Sequence, residues 1–180
     1  MKHLVLVGLV SSIAVVQYVL WRVPRHSALS LSQHIAKDAL AIAAARIMIS
    51  LVAAMVAMWY FGWYVTTHDT FMLQAGLLVW VCVSAVLMAL VPHHEGRTAG
   101  VLHIVFACTY ASTVLPLVVT FALTSENVVA QLMIGLCAAW QLYSATLYLF
   151  YPPARKHFFQ YELSFIGAFA ATLFVSTYIG

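Results

Sequence analysis

The chain has 180 residues, of which 64% are hydrophobic and only 7% charged, whereas an ordinary soluble domain carries about 25% charged residues. Too few polar groups remain to cover a water-facing surface, so a soluble fold is excluded, and six spans of about 20 residues each would consume most of the length. Eight Lys and Arg against five Asp and Glu leave a net charge of +3, too sparse for the basic face that nucleic-acid binding requires, and no nucleic-acid partner is expected.

The first apolar stretch, Leu4 to Leu20, is followed by Trp21, Arg22, Val23, Pro24 and Arg25. That is not a small-x-small cleavage pattern, so the stretch reads as a retained span rather than a signal peptide. The connection from Arg22 to Asp38 mixes polar and apolar residues in its second half, Leu31 to Asp38, as a helix lying at the membrane interface would. Pro24 and Ser30 or Ser32 supply its breaker and cap. Further apolar runs follow at about 39 to 65, 71 to 92, 98 to 123, 127 to 151 and 158 to 179, each able at 1.5 Å per residue to cross a hydrocarbon core of about 30 Å. They are continuously apolar rather than alternating, which excludes a transmembrane β-barrel. The expectation is one all-α domain over residues 1–180, a polytopic transmembrane bundle of six spans with an interfacial helix after the first.

Within these runs, Trp59, Tyr60, Trp63 and Tyr64 fall at the end of the second, where an aromatic belt is expected. Pro116 with Thr113 is expected to kink the fourth, and Gly76, Gly135 and Gly167 to permit close helix contact. Lys and Arg collect in the first connection (Arg22, Arg25, Lys37), the third (Arg97) and the fifth (Arg155, Lys156), with none in the second or fourth. The positive-inside rule then places loops one, three and five in the cytoplasm and both termini outside, in a multi-pass protein of the cell membrane.

Ionisable groups inside apolar runs are the candidates for chemistry, because burying one in hydrocarbon costs several kcal/mol unless it is paired or hydrated. Arg46, His103 and Glu162 lie at similar depth near the cytoplasmic boundary of the second, fourth and sixth spans. A basic, a switchable and an acidic group at one level form a candidate polar cluster, which Gln141 extends deeper into the fifth span. Cys82, Cys108 and Cys137 stand singly, without a Cys-x-x-Cys pair, and read as small packing residues. Pro92-His93-His94-Glu95-Gly96-Arg97 has metal-ligand residue types but no spacing that puts two ligands on one helical face. No metal site and no cofactor are expected, and two-histidine haem ligation lacks a second intramembrane His at the depth of His103.

Pro92-His93-His94-Glu95-Gly96-Arg97 leading into a helix that opens with His103, together with Tyr161-Glu162 followed by Phe165, Phe169, Phe174, Thr177 and Tyr178, resembles the DRAM-like six-helix membrane proteins and their bacterial domain-of-unknown-function relatives. In that group a His early in a middle helix and a Glu early in the last recur, corresponding to His103 and Glu162. The aromatic usual after that Glu is Leu163 here. The resemblance covers about half the chain and implies six helices and an association with membrane-lipid organisation or lipid-linked trafficking rather than one reaction.

The leading expectation is therefore a non-enzymatic membrane protein that interacts through its polar cluster with membrane lipids, another membrane protein or a second copy of itself. Two other classes stand beside it. In a small proton-coupled transporter, Arg46, His103, Gln141 and Glu162 would line a hydrated path. In a lipid-modifying membrane enzyme, His103 would be acid or base, although no nucleophile or metal set accompanies it.

Overall fold

The computed structural model describes residues 1–23, 31–91 and 96–180, excluding the side chains of His34, Gly96, Arg97, Ala99, Ala154, Arg155 and Phe158. Seven helices follow in order: α1 Leu4–Arg22, α2 Leu31–Ile35, α3 Ala39–Trp59, α4 Met72–Leu90, α5 Gly96–Thr124, α6 Val128–Phe150 and α7 Phe158–Tyr178. α3 runs on through a π-helical segment, Tyr60–Tyr64, into a last turn, Val65–Thr67. No strand occurs among the described residues. Among the described residues six helices, all but the five-residue α2, are long and apolar enough to cross a membrane, and the chain is a multi-pass membrane protein. Pro24, Ser30 and the His93-His94-Glu95 turn lie outside the described residues.

Short connections and side-chain caps set where these helices begin. Asp38 is extended and its Oδ1 accepts the Ala41 amide at 2.9 Å, opening α3. Asn127 does the same for α6, accepting from Val129 at 2.9 Å and Ala130 at 3.3 Å. Each cap satisfies backbone donors that the first helical turn leaves open. Asp38 also pairs with Arg22 at 2.8 Å, tying the end of α1 to the start of α3 across the α2 segment.

The six long helices form a ring in which each packs on its sequence neighbour, and α7 closes it against α1. α7 also touches α5 across the ring, and α2 packs on α1, α3 and α7. Because consecutive spans reverse direction, one end of the bundle carries loops one, three and five, and the other carries both termini with loops two and four. The interior is built from Val5, Trp59, Tyr60, Tyr64, Leu78, Leu117, Phe121, Ile134 and Leu173. The outer face remains as apolar as that core, with Leu123 at 72% and Leu136 at 71% exposure. A surface of that kind is stable only against lipid.

Three packing expectations are corrected. Trp59 and Tyr60 are 0% exposed and Tyr64 1%, so three of the four clustered aromatics are core residues rather than a lipid-facing belt. Tyr64 stacks on Tyr60, lies tilted against Trp59 and meets Phe121 of α5 edge to face. A Cβ added at Gly76, Gly135 or Gly167 would meet nothing within 4 Å; these glycines mark no close contact. A Cβ at Gly8 would make ordinary contact with Val52 and Met55 at 3.8 Å, and one at Gly62 would meet the Met1 side chain, which covers it. Of the cysteines, Cys82 and Cys137 are partly buried, but Cys108 is exposed on the outer face. Pro116 sits inside a continuous α5, with the Thr113 hydroxyl donating to the Thr109 carbonyl at 2.7 Å.

Candidate functional site

The residues singled out by charge all lie toward the end of the bundle that carries loops one, three and five. Arg46, two turns into α3, donates from Nε to the Ala89 carbonyl at 3.3 Å and from a terminal nitrogen to the Leu90 carbonyl at 3.1 Å. These are last-turn carbonyls of α4 that have no partner within their own helix, and a cation there is favoured by the helix dipole. His103 of α5, 5% exposed, bonds through Nδ1 to the Val91 carbonyl at 2.7 Å. A carbonyl only accepts, so Nδ1 is the donor in this bond. Arg46 and His103 thus converge on the C-terminal end of one helix, from α3 on one side and α5 on the other.

Glu162 and Gln141 form a second group on α7 and α6. The Glu162 carboxylate accepts the Leu31 amide at 2.6 Å, holding the first residue of α2 against α7. Gln141 is fully buried and its Nε2 donates to the Phe165 carbonyl at 3.2 Å, one turn beyond Glu162. Among the described residues no direct hydrogen bond or ion pair joins Arg46, Gln141 and Glu162 to one another; each is bound to main chain. Tyr110, two turns along α5 from His103, is within electrostatic reach of Cys82 on α4 and Glu162 on α7.

Arg46 has a second setting. A shallow apolar groove of about 320 Å³ runs between α3 and α4, lined by Ser50, Ala53, Ala54, Cys82, Val83, Val86 and Leu87. Small side chains on α3 create it, since Ser50, Ala53 and Ala54 recur at the spacing of one helical face. Arg46 precedes Ser50 by four residues, so it stands on the same stripe, about 6 Å along the axis, at the groove's loop end. Two of its five N–H donors serve Ala89 and Leu90, and no ion pair to it occurs among the described residues.

Composition and spacing did not single out the polar network at the opposite end. Tyr60 Oη donates to Gln74 Oε1 at 3.1 Å, Gln74 Nε2 donates to Thr124 Oγ1 at 3.2 Å, and Thr124 Oγ1 meets Tyr64 Oη at 3.0 Å. His68 stacks on Tyr64 with centroids 4.2 Å apart, beside a polar recess of about 410 Å³ that includes Thr67, Glu126 and Asn127. The Lys2 ammonium lies over the Trp63 and Tyr178 rings at 5.4 and 5.3 Å, and His3 Nδ1 meets Tyr178 Oη at 3.0 Å. The signal was Gln74, a polar residue inside the third apolar run facing the aromatic end of the second. No family model matches the chain, and no curated protein or solved structure matches it.

Proposed function

We propose that this protein binds membrane lipid without transforming it, seating one acyl chain in the α3–α4 groove and the phosphate of an anionic headgroup on Arg46. The observation that carries the reading is the alignment of an apolar groove with a cation at its mouth. A volume of about 320 Å³ is at the low end of ligand pockets, suited to part of one chain rather than a whole lipid. The guanidinium keeps donors beyond the two used on α4, and its planar fork matches phosphate oxygens. With loops one, three and five in the cytoplasm by the positive-inside rule, the mouth would face the leaflet that holds anionic lipid.

Arg46, His103, Gln141 and Glu162 then share one end as a polar cluster with divided duties. Arg46 meets the headgroup, His103 secures the Val91 carbonyl just past α4, and Glu162 fastens α2 over α7. The likeness to DRAM-like proteins, whose relatives are associated with membrane-lipid organisation, supports the same reading. A neighbouring membrane protein or a second copy competing for the outer face would be an outcome of the test rather than part of the proposal.

The test is thermal unfolding of purified protein in neutral detergent with added phosphatidylglycerol or phosphatidylcholine. Phosphatidylglycerol is expected to raise Tm more than phosphatidylcholine. Arg46→Gln should remove that preference, weakening phosphatidylglycerol binding about fivefold, the equivalent of about 1 kcal/mol per basic residue near a lipid surface. Equal stabilisation by both lipids, unchanged in the variant, would overturn the proposal.

A further inference from the structure

Among the described residues, three of the four buried side-chain atoms that lack a partner, Gln141 Oε1, Ser144 Oγ and Ser176 Oγ, belong to α6 and α7. Gln141 is 0% exposed and Ser144 and Ser176 are each 2%, so solvent outside the bundle does not satisfy them. Hydroxyls elsewhere in the helices turn back onto their own backbone: Thr109, Thr113, Thr120, Thr172 and Thr177 each donate to a carbonyl three or four residues earlier. Ser144 and Ser176 do not. Leaving a buried polar group unpaired costs roughly 1–3 kcal/mol, and such groups are ordinarily satisfied by protein or by ordered water.

Helical spacing places all three along one seam, at two levels. Gln141 reaches Phe165 on α7, which fixes that side of α6 to the α6–α7 seam, and Ser144 follows Gln141 by three residues. Ser176 follows Phe165 by eleven residues, three turns, and so lies on the Phe165 face of α7 about 16 Å along the axis. One end of the seam carries two unpartnered atoms a turn apart, and the other carries one.

We infer that the α6–α7 seam is a water-binding site, with one water held between Gln141 Oε1 and Ser144 Oγ and a second at Ser176. The chemistry selects water. Gln141 Oε1 only accepts, whereas a serine hydroxyl donates and accepts, so a molecule that itself does both completes the pair. Two oxygens fall short of the six that a hard cation requires. The site is independent of the α3–α4 groove, and its failure would leave the lipid reading untouched.

The test is water-edited solid-state NMR of the full chain in phosphatidylcholine bilayers, comparing the side-chain amides of Gln141 and Gln74. Gln74 is the dry control: it is also 0% exposed, but both its ends are engaged by Tyr60 and Thr124. Magnetisation from water should reach the Gln141 amide several-fold faster than the Gln74 amide. Ser144→Val, which replaces the hydroxyl with methyl groups, should reduce the Gln141 transfer to the Gln74 level; Ser144→Ala serves if that variant does not fold. A Gln141 amide as dry as Gln74 in the parent protein would overturn the inference, as would a Gln141 signal that moves with sodium while receiving nothing from water.

Discussion

Tyr60 and Gln74 show how much one polar atom matters in a bundle whose surroundings are apolar on every side. The Tyr60 hydroxyl is the donor to Gln74 Oε1, and both residues are fully buried. Tyr60→Phe keeps the ring stack with Tyr64 but leaves that amide oxygen unpaired. An unpaired buried acceptor costs roughly 1–3 kcal/mol, while interhelical hydrogen bonds in bilayers average nearer 0.6 kcal/mol. The expected loss is therefore about 1 kcal/mol, read as a lower unfolding midpoint in detergent. Adding Gln74→Leu should cost less in the Tyr60→Phe background than in the parent, because the bond it breaks is already gone. Additive losses would show that the two residues are not coupled. Arg46 and His103 follow the same logic, each supplying a donor to a carbonyl that α4 cannot satisfy itself.

At the scale of the elements, the start of α3 rests on Asp38. The Ala41 amide, and after it the Arg22 guanidinium, hold the Asp38 carboxyl below its usual range. A depressed carboxyl contributes stability that is complete above its unfolded value, about 3.9, and is lost as pH falls through the lower folded value. Asp38→Ala should therefore be less heat-stable than the parent near neutral pH, with the gap closing as pH drops below about 4. A gap constant across that range would mean the charge contributes nothing. The helices themselves were legible because membrane spans announce themselves by uninterrupted apolar length: the run at about 71 to 92 is Met72–Leu90, and that at 127 to 151 is Val128–Phe150. Which face of each helix meets protein was not. In lipid both faces are apolar, so periodicity separates core from surface poorly. For that reason Trp59, Tyr60 and Tyr64 read as a belt, and Gly76, Gly135 and Gly167 as contact points. The π-helical Tyr60–Tyr64 segment, which shifts the facing of every residue after it, leaves no mark in hydropathy.

For the whole molecule, the ring of six helices has two unlike ends. One end is closed by aromatic stacking and the Tyr60–Gln74–Thr124–Tyr64 network, with Lys2 and His3 fastened to it. The other carries the ionisable residues of the candidate site and the mouth of the α3–α4 groove. The residue types of that site were readable from the sequence, since charge within an apolar run is rare. Their partners were not, because Ala89, Leu90, Val91, Phe165 and Leu31 contribute only backbone atoms, which no side-chain pattern encodes. The groove was equally hidden, arising where small residues of α3 meet α4. The most direct test of the lipid reading is photo-crosslinking in bilayers with phosphatidylglycerol carrying a diazirine in its acyl chain, followed by peptide mapping. Adducts are expected to concentrate on the groove walls, between Ser50 and Ala54 and between Cys82 and Leu87, and to fall there in Arg46→Gln. Adducts spread evenly over the outer face, as abundant around Leu132 and Leu136 of α6 as in the groove and unchanged in the variant, would contradict it.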